Sequence, residues 1–203
     1  RTPSRCKVKL LFGFSYDRIL KHIDPDFLLA ADYDYLAFLL NDVAIYQPFS
    51  NFNLSELIDK MIKHELSVVT PSIIGSVVEE LNPHKGDIPS SIGRLVDKVE
   101  VQASVMSSLA WACWYELVDL EYQNGWQDCL VYDYCFKSGR IPNGKMAVLD
   151  KMWVHHNPKN WPSTNTVPSG SNLRQQISSW KTERNISLVD TTASSIGTLV
   201  EEY

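Results

Sequence analysis

Six apolar residues in a row, Tyr35 to Leu40 (YLAFLL), constrain this chain more than any other feature. The run is too short for an ordinary helix and does not alternate, so it reads as a strand buried on both faces. Such a strand needs neighbours in a sheet and cover above and below. Lys7 to Phe14 (KVKLLFGF) has the same character and breaks at Gly13 and Ser15. Asn53-Leu54-Ser55-Glu56 has the form of a capping box, and Leu54, Leu57, Ile58, Met61 and Ile62 then share one stripe. That pattern predicts a helix ending near His64.

Further helices are expected at Asp26 to Ala31 behind Asp24-Pro25, from a Ser107 cap through Trp111 to about Leu120, from Gln127 or Asp128 to Ser138-Gly139, and near Leu173 to Lys181. Short extended segments are expected at Val43 to Ile45, Ser67 to Thr70 (closed by Pro71), Lys98 to Val101, Met146 to Leu149 and Met152 to His155. Leu81 to Pro89 reads as turns. The alternation predicts an α/β fold: a mostly parallel central sheet flanked by helices on both faces. Asn157 to Asn172 holds three prolines and no periodicity, which predicts a long loop of the lid type. The expected organisation is one domain over 1–203, with a core at 1–156 and a loop, helix and polar tail at 157–203, standing alone or within a longer protein.

Composition enters as a set of exclusions. Hydrophobic residues at 44% and charged residues at 21% are globular values. A net charge of −5 argues against a nucleic-acid partner, because phosphate backbones are held by clustered Lys and Arg. No apolar run approaches the roughly 20 residues of a membrane span. No apolar core follows the basic Arg1 to Arg5, so no secretory signal is visible and a cytoplasmic location is expected. Cys6, Cys113, Cys129 and Cys135 form no metal-ligand spacing and read as reduced, buried hydrophobes. Asn185-Ile186-Ser187 is a glycosylation sequon without a secretory signal to support it.

In open α/β sheets ligands lie beyond the carboxyl ends of the strands. Three polar groups follow predicted strands: Ser15-Tyr16-Asp17, Asn41-Asp42 and His155-His156. Asn41-Asp42 is either a turn or a carboxylate placed to bind a hard divalent cation. His155 and His156 are either hydrogen-bonded structural residues or an imidazole beside such a cation, a combination that suits manganese. Asp32-Tyr33-Asp34 precedes its strand, at the wrong edge. Trp126-Gln127-Asp128 opens a helix, so Asp128 is either a cap or a catalytic carboxylate in the cleft. No GxGxxG, GxxxxGK[ST] or GxSxG loop is present.

Several blocks together resemble the GT-A-fold nucleotide-sugar glycosyltransferases, close to transferases of plants and large algal viruses that include capsid-glycosylating domains. The blocks are Asp24-Pro25-Asp26-Phe27 to Asp34-Tyr35 with Asn41-Asp42-Val43; Val99-Glu100-Val101 through Trp111, Cys113, Gly125-Trp126 and Tyr134-Cys135; and Trp153-Val154-His155. The resemblance implies a GT-A-like, Rossmann-related fold and transfer of a hexosyl or deoxyhexosyl group from a UDP-sugar to a glycan or glycoprotein hydroxyl. It implies Asp42 and His155 as ligands of Mn²⁺, or of Mg²⁺ in its place, and Asp128 as the catalytic carboxylate. Gly13, Phe14, Ser15, Tyr16, Asp17, Asn41 and Trp126 would hold the nucleotide-sugar, with Tyr16 stacked on uracil. For viral members of the group the location would be the host cytoplasm. Leu40 and Asn41 replace two acids of the family's aspartate motif. The alternative is therefore a non-catalytic nucleotide-sugar-binding module. A metal-dependent phosphodiesterase ranks last, since the clustered acids of a two-metal site are missing.

Overall fold

The structure, a computed structural model, describes residues 7–13, 23–26, 32–40, 42–76, 81–84, 90–118, 130–156, 175, 178–179, 181–183 and 195–200. Its centre is an eight-stranded sheet. In chain order the strands are β1 (Val8–Gly13), β2 (Tyr35–Leu40), β3 (Val43–Ala44), β4 (Val68–Ile74), β5 (Ser91–Val96), β6 (Val105–Ser107), β7 (Met146–His156) and β8 (Ser195–Val200). Two α-helices are described, α1 (Leu54–Lys63) and α2 (Ser108–Tyr115), with a 3₁₀ turn at Val101–Ala103 and a π-helical segment at Tyr132–Lys137. Residues 175, 178–179 and 181–183 are helical as well. No helix among the described residues is long and apolar enough to cross a membrane.

The spatial order is β1-β2-β6-β4-β7-β5-β8, with β3 beside β7. Only β1–β2 and β4–β7 are parallel. The pairs β2–β6, β4–β6, β3–β7, β5–β7 and β5–β8 are antiparallel. The expected α/β, GT-A-like and Rossmann-related architecture, a mostly parallel sheet with helices over both faces, is therefore wrong: the sheet is mixed and mainly antiparallel, and described helices are few. The cause is local. β6 inserts in reverse between β2 and β4, and β5 runs antiparallel to both of its neighbours, β7 and β8.

Side-chain alternation still builds two cores. Leu36, Phe38, Val68, Val148 and Val154 join Trp111 and Trp114 of α2 in one cluster. Ala37, Val69, Ala147 and Leu149 join Leu57, Ile58 and Met61 of α1 in the other. α1 starts as its capping box predicts: Asn53 Oδ1 accepts from the Glu56 N–H at 3.2 Å. Ser107 caps α2 in the same way, accepting from the Ala110 N–H at 3.1 Å.

Five further expectations change. β4 does not stop at Pro71 but continues to Ile74. Proline has no N–H for the ladder, and β7 answers with an irregularity: Pro71 faces Leu149 while Ser72 faces Trp153. Met146 to His156 is thus one bulged strand, not two. Lys98 to Val101 is not a strand, and residues 195–200, read as polar tail, form the edge strand β8. Cys113 and Cys135 are joined by a disulfide with Cα atoms 5.9 Å apart, where reduced thiols were expected. The bridge ties α2 to the π-helical segment.

Candidate functional site

The ends of β1, β2, β4 and β7 meet at one edge of the sheet. Gly13 pairs with Leu40, and Ile74 pairs with His155. After β2 the chain turns back at Asp42 so that the two residues of β3 pair with the tip of β7, Val43 opposite His156 and Ala44 opposite His155. This reversal sets Asp42 Oδ2 3.1 Å from His156 Nε2, across 114 residues of sequence. Asp42 is 4% exposed and the His156 side chain 16%. Gly75, just past β4, has φ +87°, and a Cβ there would lie 3.2 Å from the His156 carbonyl oxygen. Glycine lets the β4 end pass this close to His156.

Buried polar atoms almost always have partners, and the exceptions ask for an explanation. Asp42 Oδ1 and Glu100 Oε2 are buried without a hydrogen-bond partner, and His156 Nδ1 is buried beside the Gly75 backbone. Glu100 precedes the 3₁₀ turn that leads into β6. Burial raises its pKa, offset in part by the charges of Lys98 and His156. The His156 pKa is raised chiefly by its hydrogen bond to Asp42; burial opposes this, and the Asp42 charge, the Gly75 backbone and the Glu100 charge add to it.

The sign of that shift gives a prediction for the metal-free protein. A raised histidine pKa contributes stability that is complete below about 6.5 and lost as pH rises through the folded-state value. Glu100, whose pKa is also raised, works in the same direction from about 4.5 upward. In EDTA the stability difference between wild type and His156→Gln should shrink as pH rises from 6 to 9. Chemical denaturation at four pH values measures it; a difference that grows would contradict the Asp42–His156 pairing.

A cation with bonds of roughly 2.1 Å holds neighbouring octahedral ligands roughly 3 Å apart. The Asp42–His156 separation of 3.1 Å suits either a hydrogen bond or two such ligands. One carboxylate oxygen and one imidazole nitrogen are a mixed donor set open to several divalent cations, manganese among them. Among the described residues no group of three or more His, Cys, Asp and Glu is placed to hold a metal.

His155 lies elsewhere. Successive strand residues face opposite sides, and the His155 ring centroid is 6.4 Å from those of Phe49 and Trp153. The structure thus brings Gly13, Asp42 and His156 to one edge, with His155 turned to an aromatic neighbourhood. Phe14, Ser15, Tyr16, Asp17, Asn41, Trp126 and Asp128 lie outside the described residues. Asp32 and Asp34 sit at the amino end of β2, where Asp34 accepts from the Lys7 N–H and Asp32 pairs with the Lys7 ammonium.

The sequence reading missed Glu100 as a polar group near the site. Its signal was present, as an acid between Val99 and Val101. A cavity of about 280 Å³, lined by Lys63, His64, Leu95 and Lys145 among others, opens at the opposite end of the sheet.

No family model matches the chain. No curated protein matches it either. Among solved structures the chain is similar to the crystal structure of A197 from STIV, at 15% identity over 75% of this chain and 85% of that one, with a TM-score of 0.41. A likeness that distant carries neither fold nor function across.

Proposed function

We propose that this chain is a metal-dependent glycosyltransferase that moves a sugar from a UDP-sugar to a hydroxyl of a glycan or glycoprotein. The observation that supports it is the meeting of Asp42, buried with one carboxylate oxygen unpartnered, and the half-buried His156 where four strands end. Asp42 and His156 would hold Mn²⁺, or Mg²⁺ in its place, with His156 in the part that the family resemblance gives to His155. Bound there, the cation supplies Lewis-acid neutralisation of the diphosphate leaving group. That explains how an acidic chain without a phosphate loop binds an anionic donor. Asp128 is proposed as the carboxylate that takes the acceptor proton or stabilises the developing oxocarbenium charge.

Calorimetry of UDP with and without Mn²⁺ tests the reading. Wild type should bind UDP at least tenfold more tightly with Mn²⁺, and Asp42→Ala and His156→Ala should each erase that gain. His155→Ala should keep most of it. UDP affinity indifferent to Mn²⁺ in wild type, or unchanged in both Asp42→Ala and His156→Ala, would overturn it. The replaced acids at Leu40 and Asn41 favour a second reading, a binding module without catalysis. Slow hydrolysis of a UDP-sugar by wild type, abolished in Asp128→Asn with UDP binding intact, excludes that alternative.

A further inference from the structure

The segment that carries Asp42 to β7 continues into a turn, in which the Phe49 N–H donates to the Tyr46 carbonyl at 2.9 Å. Its two ends therefore stand side by side, the Tyr46 and Phe49 rings edge to face with centroids 5.7 Å apart. Asn51 then fastens the segment to β7: its side-chain amide donates to the Lys151 carbonyl at 2.8 Å, and its Oδ1 accepts from the Trp153 N–H at 2.6 Å. Phe49 in turn meets His155 edge to face, and His155 meets Trp153 in the same way. The result is a chain of four rings at the tip of β7. Its outer half is open to solvent, with Tyr46 64% and Phe49 48% exposed, while Trp153 and His155 are half-buried.

Single exposed hydrophobic residues are ordinary, but a run of contiguous rings is not. We propose that this aromatic face is a carbohydrate-binding surface that receives a pyranose ring of the acceptor glycan. The inference rests on the proposed transferase reading for the word acceptor, and on the rings themselves for the word carbohydrate. One face of a pyranose presents C–H groups with slight positive charge, and aromatic faces are negative. Its hydroxyls need polar neighbours at the rim, where the sequence places the exposed Gln47 and the half-buried His155. Size points the same way. A stable protein interface uses roughly 20–30 residues a side, whereas four rings match a ligand of one or two sugar units. The location adds a reason, for Ala44 opposite His155 adjoins Val43 opposite His156 on the same two strands. An oligosaccharide anchored on the rings passes round the end of β7 towards the Asp42–His156 pair.

Neutral tetrasaccharides of glucose, xylose, galactose and N-acetylglucosamine are the probes, read by saturation-transfer NMR from the aromatic protons and by calorimetry. At least one should bind wild type, and the Tyr46→Ala/Phe49→Ala double variant should bind it at least tenfold more weakly. Both rings are exposed, so the double variant should fold, which its melting temperature checks. Its Mn²⁺-dependent UDP affinity should stay within twofold of wild type. The inference is overturned if no tetrasaccharide binds, if binding survives the double substitution, or if the substitutions weaken UDP instead, which would make the face a nucleobase shelf. Capture by phosphatidylcholine vesicles that disappears in the double variant would make it a membrane-contact patch and would equally overturn it. Loss of UDP binding in wild type with sugar binding intact sinks the transferase reading and leaves the carbohydrate surface standing.

Discussion

Arg94→Met should lower the unfolding free energy by about 3–5 kcal/mol, the usual consequence of stripping one partner from a buried ion pair. The Arg94 and Asp150 side chains are only 11% and 7% exposed. Their contact is bidentate, Nε to Oδ2 at 3.0 Å and Nη2 to Oδ1 at 2.9 Å, the fork geometry that lysine cannot reproduce. Asp150 begins the irregular stretch of β7 opposite Pro71, and it gathers the strands around that break. Its Oδ1 accepts from the His84 N–H at 2.9 Å and lies 3.3 Å from Ser72 Oγ on β4, while Arg94 Nη2 also donates to the Asn82 carbonyl at 3.1 Å. Without the guanidinium a buried carboxylate is left with those two donors. The paired substitution Arg94→Met/Asp150→Leu should recover part of the loss, because it removes the stranded charge along with its partner. Urea unfolding gives both numbers. A loss under 1 kcal/mol for Arg94→Met would mean that water reaches Asp150 and that the bulge is held by its backbone alone.

That bulge also shows where the sequence was legible and where it was not. Tyr35 to Leu40 and the helix from Leu54 were readable because each is a complete local signal: an apolar run of strand length in one case, a cap plus a stripe in the other. Asp42 was readable as a polar residue at a strand end because only Asn41 separates it from that run. The fold class was not. Its deciding element, β6, is three residues long, and three residues carry no period. Their direction is set by the 3₁₀ turn at Val101–Ala103 and by Phe38 donating its N–H to the Ser104 carbonyl at 2.8 Å, contacts made across the sheet.

The two histidines pose the same difficulty on a smaller scale. His155 and His156 are chemically identical and adjacent, so their roles differ only through which face each takes. In β7 that face is set beyond an irregularity opposite Pro71, and no count of residues from the predicted strand start at Met152 supplies it. The family resemblance pointed to His155, whereas the contact with Asp42 belongs to His156. Cys113 and Cys135 were likewise invisible as a pair. Their separation of 22 residues has no signature until α2 and the π-helical segment are packed together.

Trp111 carries the second large effect. It was read as part of a family block, and in the structure it is a keystone of the core: fully buried, 5.0 Å from the Phe38 ring and 5.6 Å from Tyr115, with Nε1 donating to the Ile23 carbonyl at 3.0 Å. Trp111→Ala should cost about 3–5 kcal/mol, from lost burial and the cavity left behind. Trp111→Phe separates the two contributions. It keeps most of the ring contact but orphans the buried Ile23 carbonyl, so a loss of about 1–3 kcal/mol is expected. The functional consequence is the discriminating one. Phe38 lies on β2, the strand that delivers Asp42, so Trp111 supports the site from below without reaching it. Mn²⁺-dependent UDP affinity should therefore be unchanged in Trp111→Phe at temperatures where the variant is folded, while its melting temperature falls. If UDP affinity dropped and stability did not, Trp111 would belong to the binding site, and the Phe38–Trp111 packing would not explain its place in the chain.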